Sequence, residues 1–92
     1  MNNIKDISSV NSIYTWINVI TSDGMFSTEK AVSIKLIDGN EVSLFVDRGL
    51  LKEDKGKWFL KVAKVKTNHK SQVVLLPIET FETSTRWAEV PI

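Results

Sequence analysis

VSIKLIDGNEVSLFV, residues 32–46, is the stretch that decides the fold. In both of its halves an apolar residue occupies every second position, and Asp38-Gly39-Asn40 separates the halves. Alternation with a period of two is typical of a strand with one buried face. Asp, Gly and Asn together are a strong turn signal. The stretch therefore predicts a β-hairpin.

The apolar faces of this hairpin also predict its register. A two-residue loop would place Leu36 opposite Glu41, whereas a three-residue loop, Asp38 to Asn40, matches apolar residues on both strands. Asn40 would then occupy the left-handed position, which asparagine tolerates well. This register predicts the pairs Leu36–Val42, Ile34–Leu44 and Val32–Val46.

The reverse face of the hairpin carries two large apolar side chains, Ile37 and Phe45. Either another segment of the chain covers them, or they form a contact surface for a second chain. The first arrangement is favoured in so short a domain. The second makes them candidate interface residues together with Trp87, because tryptophan is a common interface anchor.

Downstream, residues 57–66 predict another strand, with Trp58, Leu60 and Val62 on one face. The alternation slips at Val65, which predicts a β-bulge near Ala63. An amphipathic helix is the rival interpretation of this segment. The apolar run at residues 72–78 favours a strand pair, with a turn at residues 67–71 and a centrally placed second strand.

The N-terminal third is compatible with two structures. Ile7, Val10, Tyr14 and Ile17 would form a helical stripe, but β-branched and aromatic residues favour a strand at residues 13–21. A last strand is predicted at residues 84–90, and a short helical turn at residues 50–54. Together, five or six short strands predict one mainly β domain over residues 1–92. We expect a small barrel or a rolled antiparallel sheet, frayed at residues 1–8.

The composition argues against catalysis and against a bound metal or cofactor. The absence of cysteine excludes disulfides, zinc–thiolate sites and a thiol nucleophile. His69, the single histidine, lies in a predicted turn without a neighbour that would orient a general base. The four glycines form no phosphate-binding motif. We therefore expect a non-enzymatic protein with no cofactor and no metal site.

The sequence also predicts a cytoplasmic protein without a membrane partner. It contains no apolar run of membrane-spanning length, and its first residues lack the apolar core of a secretory signal. The absence of cysteine fits a reducing compartment.

Charge is unevenly distributed, although the net charge is only +1. Residues 48–70 contain eight basic and two acidic side chains, and aromatic residues lie among them. Proteins that bind single-stranded nucleic acids combine a positive groove with aromatic faces. Lysines at a strand edge can also serve only to prevent unwanted pairing. The candidate nucleic-acid-binding residues are Lys57, Trp58, Lys61, Lys64, Lys66 and Lys70.

Two functional hypotheses follow from these patterns. The leading one is a β domain that acts through protein contacts, including self-association into a dimer or larger oligomer, through Ile37, Phe45 and Trp87. Apolar residues on both faces of several strands motivate it. The alternative is a module that binds single-stranded nucleic acid through the basic stretch at residues 57–70.

Overall fold

The computed structural model describes residues 13–92 as a curled antiparallel sheet that forms a half-barrel. The strands are β1 Tyr14–Asp23, β2 Glu29–Lys35, β3 Glu41–Asp47, β4 Leu51–Asp54, β5 Lys57–Thr67, β6 Ser71–Leu75 and β7 Trp87–Pro91. Their order in the sheet is β3-β2-β1-β5-β6-β7, and β4 also pairs with β5. A short 3-10 helix, Arg48–Leu50, separates β3 from β4. The predicted mainly β fold with a rolled antiparallel sheet is thereby confirmed.

The core lies on the concave side of the curled sheet and consists of aliphatic side chains. Every strand except β4 contributes buried apolar residues to it, and along a strand these lie at alternate positions, as the period of two requires. Leu44, Leu60, Val74 and Leu76 are completely inaccessible to solvent. The other buried apolar residues are Ile17, Val19, Val32, Ile34, Val42, Val46, Val62, Ala88 and Val90.

The β2–β3 hairpin forms as predicted, but its register differs. The observed pairs include Val32–Leu44 and Ile34–Val42, so the predicted pairs Leu36–Val42, Ile34–Leu44 and Val32–Val46 are wrong by two residues. Leu36 and Asn40 instead close a three-residue loop, with Leu36 N–H donating to the Asn40 carbonyl at 2.8 Å. Gly39, not Asn40, takes the positive φ of 90°. Glycine adopts this conformation without the steric cost of a Cβ. The position of the glycine therefore determines which three residues form the loop.

β5 is a strand along its whole length, which excludes the helical interpretation of residues 57–66. The predicted bulge is present two residues later than expected. Lys64 pairs with Val74 and Lys66 pairs with Val73, so Val65 is the extra residue. A bulge of this kind reverses the side-chain alternation. Lys66 is thereby placed on the convex side of the sheet.

Several other boundaries differ from the predictions. The helical turn expected at residues 50–54 lies at Arg48–Leu50, and the following residues form β4. β4 and β5 are joined by Lys55 and Gly56, which both have positive φ, as in a type I′ turn. The last strand is Trp87–Pro91 rather than residues 84–90, and β6 ends at Leu75 before Pro77 can interrupt its pairing.

The N-terminal strand is confirmed over Tyr14–Asp23. Tyr14 and Ile17 therefore lie in a strand and not on a helix. The other members of the proposed helical stripe, Ile7 and Val10, lie outside the described residues, as does the segment expected to fray.

The loop between β6 and β7 covers the outer edge of β3. Phe81 N–H donates to the Ser43 carbonyl at 3.0 Å. The Glu82 carboxylate accepts hydrogen bonds from the Ser43 hydroxyl and backbone N–H, both at 2.6 Å. These bonds, the hydroxyl one first, hold the pKa of Glu82 below its ordinary value. A covered edge cannot template pairing with another chain.

The two apolar residues on the reverse face of the hairpin have different surroundings. The ring of Phe81 packs edge-on against Phe45, with 5.4 Å between the centroids, so a segment of the same chain covers Phe45. Ile37 remains 45% exposed. Its N–H donates to the Glu89 carbonyl at 2.9 Å, which joins the hairpin loop to β7.

Within residues 13–92, no helix is both long and apolar enough to span a bilayer.

Candidate nucleic-acid interface

The convex side of β1, β5 and β4 carries aromatic and basic side chains in adjacent positions. The register places Trp16 opposite Lys61, and it places Asn18 opposite Phe59. β4 pairs along the other edge of β5, and there Lys52 lies opposite Phe59. Residues directly opposite each other in an antiparallel pair share one face. We define the aromatic–lysine face as Tyr14, Trp16, Lys52, Phe59 and Lys61.

Lysine ammonium groups lie over all three rings of this face. Lys52 Nζ is 4.4 Å from the ring centroid of Trp16 and 5.9 Å from that of Phe59. Lys61 Nζ is 4.9 Å from the ring centroid of Tyr14. These distances are within the range of cation–π attraction. The lysine stems therefore shield part of each ring while the charges stay at the surface.

The rings remain accessible because the face has no covering layer in the described part of the chain. Tyr14 is 49% exposed and Trp16 is 39% exposed, whereas their neighbours Ile17 and Val19 are buried. Phe59 is half-buried between the flanking strands. Exposed rings at neighbouring positions of one face form a contiguous apolar patch, and large patches of this kind mark interaction sites.

The face is electrically positive. Lys57 joins Lys52 and Lys61 on the convex side, although Asp54 lies opposite it at the β4–β5 turn. Over residues 13–92, the one ion pair within 4.0 Å joins Lys30 to Asp23, away from this face. The ammonium groups of the face are therefore available to an external anion.

Shallow depressions lie at both ends of the face. One of about 440 Å³ is bordered by Tyr14, Lys61 and Arg86. The other, of about 410 Å³, is bordered by Ile20 and Lys57. We define the track as the row of alternate β1 residues from Tyr14, which borders the first depression, to Ile20, which borders the second.

Comparison with known protein families, curated proteins and solved structures finds no match to this chain. The candidate site is therefore argued from its geometry. Positive groups beside exposed aromatic rings can bind phosphates and stack bases at the same time. In residues 13–92, no three His, Asp or Glu side chains lie close enough together to hold a metal ion. His69 is exposed in the β5–β6 turn.

The predicted nucleic-acid-binding residues do not all lie together. Lys57 and Lys61 are on the convex side beside the rings, and the bulge places Lys66 on the same side. Trp58 lies on the concave side, half-buried against the core, with Lys30 Nζ 5.1 Å from its ring centroid. Lys64 is opposite the buried Val74, and Lys70 is in the β5–β6 turn.

The predicted interface residues do not lie on one surface either. Phe45 is packed under Phe81. Trp87 is 58% exposed on the convex side of β7, opposite Leu75. Ile37 lies against the same strand through its bond to Glu89. Ile37 and Trp87 therefore border one edge strand, and Phe45 belongs to a different surface.

Four members of the face were not among the residues predicted from sequence: Tyr14, Trp16, Lys52 and Phe59. The alternation of Tyr14 and Trp16 with the buried Ile17 and Val19 contains the signal that they face outward. Lys52 could not be found in this way. Its position depends on the pairing of β4 with β5, and the sequence suggested a helical turn there.

Proposed function

We propose that this protein is a non-enzymatic module that binds single-stranded nucleic acid through its aromatic–lysine face. One observation carries the proposal: three accessible or half-accessible rings share an open sheet face, and a lysine ammonium lies over each. A cytoplasmic location is part of the proposal and rests on the sequence alone.

The chemistry of the face suits an unpaired strand better than a duplex. Bases can stack on aromatic side chains only when their faces are free, and in a duplex neighbouring bases cover those faces. The lysines beside the rings supply the phosphate contacts, which need no particular sequence. The face should therefore bind single strands with little base specificity.

The substitution Trp16→Ala tests this proposal. Loss of a stacking ring costs about 1–3 kcal/mol, which corresponds to about 5- to 150-fold weaker binding. The assay is fluorescence anisotropy of a labelled eight-nucleotide thymidine strand at about 50 mM salt. A duplex of the same length should bind more weakly than the single strand.

Trp87→Ala is the matched control, because it removes an exposed tryptophan on the same side of the sheet but on β7, two strands beyond β5. It should leave the affinity within about twofold of the parent, which is the ordinary effect of a neutral surface change. Equal losses of affinity from the two substitutions would contradict the assignment of the site. Circular dichroism of both variants should match the parent.

Self-association is a second candidate, and the exposure of Trp87 on an edge strand favours it. Trp87 and Ile37 would form the centre of a contact between copies, because large apolar side chains at an edge are common anchors. Light scattering should then show an oligomer that Trp87→Glu dissociates and Trp16→Ala does not. A monomeric parent protein at high concentration would contradict this candidate.

A further inference from the structure

The spacing of side chains along β1 restricts the conformation of a nucleic-acid strand that binds to the face. Tyr14, Trp16, Asn18 and Ile20 lie on the convex side at every second position. In an extended strand such positions repeat at about 6.6 Å. That repeat is about twice the 3.4 Å rise of stacked nucleotides. A ligand that places successive bases at successive positions must therefore have its own bases unstacked.

The length of the track restricts the number of nucleotides. From Tyr14 to Ile20 it spans about 20 Å, or three repeats. The lysines follow the same direction, with Lys61 beside the depression at one end and Lys57 beside that at the other. Lys52, which lies opposite Phe59, is between them. The track is long enough for about six stacked nucleotides, but only three of its four successive rows carry a ring: Tyr14, Trp16 and, opposite Asn18, Phe59. A strand with unstacked bases therefore meets three stacking rings.

We infer that the face binds three unstacked nucleotides and prefers pyrimidine-rich single strands; this inference rests on the proposed function. Pyrimidine strands stack weakly on themselves and therefore extend easily, and preferences of this kind arise from stacking and flexibility rather than from hydrogen-bond recognition. An adenine strand must first lose its own stacking. Asn18, between Trp16 and Ile20, is the polar side chain that a base edge would meet on this track.

Competition with the labelled thymidine strand tests the inference at about 50 mM salt. The competitors are unlabelled thymidine strands of two, three, four and six nucleotides, and an adenine strand of six. The third nucleotide should improve the affinity by about 5-fold or more, which is the lower limit for a stacked base. From three to six nucleotides the gain should stay below about 10-fold, because longer strands add mainly alternative registers. The adenine strand should bind at least about 3-fold more weakly than the thymidine strand of equal length.

The possible outcomes distinguish a failure of this inference from a failure of the proposed function. Binding with a gain above 10-fold between three and six nucleotides would overturn the three-nucleotide track and leave nucleic-acid binding intact. Equal or tighter binding of the adenine strand would overturn the requirement for unstacked bases. If no strand of any length binds at 50 mM salt, the proposed function itself is wrong, and the inference is wrong with it.

Discussion

Replacing the two lysines that lie over the rings, Lys52→Gln with Lys61→Gln, should change how binding depends on salt. The convex side presents three lysines along the face, Lys52, Lys57 and Lys61. Each phosphate that a lysine neutralises contributes about −0.7 to the slope of log K against log salt for a single strand. The parent slope should therefore be about −2, and the variant slope about −0.7. Raising the salt from about 50 to about 200 mM should weaken the parent about 20-fold and the variant only about 2.5-fold.

The assay is anisotropy of the labelled thymidine strand at several salt concentrations. The control is Lys64→Gln with Lys70→Gln, which removes the same charge from the same basic stretch but from positions off the face. Its slope should stay near the parent value, because a lysine contributes to the slope only when it neutralises a phosphate, and neither of these lysines lies beside the rings. Equal slopes for the face variant and the parent would refute the assignment of phosphate contacts to Lys52 and Lys61.

Two further predictions concern the fold. Leu60→Ala removes a fully buried core side chain. It should lower the free energy of unfolding, measured by urea titration, by about 2–5 kcal/mol. A loss below about 1 kcal/mol would contradict the close packing around Leu60. Glu82→Gln should lower the melting temperature at pH 7, because a carboxylate with a lowered pKa accepts two bonds from Ser43. The carboxylate stabilises the fold fully above its ordinary pKa of 4.5 and loses this effect as the pH falls through the lower folded value. The melting temperatures of parent and variant should therefore converge in acid, and a constant difference down to pH 2 would contradict this role.

The strands could be predicted because their alternation is local. Val32, Ile34, Val42 and Leu44 alternate with more polar residues, and all four are buried as expected. The register of their hairpin was missed because it depends on which residue takes a positive φ. Gly39 adopts it without steric cost, and the prediction had assigned it to Asn40.

The candidate site was harder to predict because it combines β4 and β5 with β1, which is distant from them in the chain. The sequence drew attention to Lys57 and Lys61 through local charge, and it placed Trp58 with them only by adjacency. Neighbouring residues of a strand face opposite sides, so Phe59 joins the face and Trp58 joins the core. The contribution of Lys52 required the β4–β5 pairing, and the segment that forms β4 was predicted as a helical turn.

The central claim is that a single strand stacks on the aromatic–lysine face, and the three indole N–H signals in a ¹⁵N-correlated NMR spectrum test it most directly. The chain has three tryptophans in different environments: Trp16 on the face, Trp58 against the core, and Trp87 on the edge strand β7. During titration with the six-nucleotide thymidine strand, the Trp16 signal should shift most, and the Trp87 signal should stay in place. A spectrum in which Trp87 shifts while Trp16 does not, or in which none of the three moves at saturating ligand, would contradict the claim.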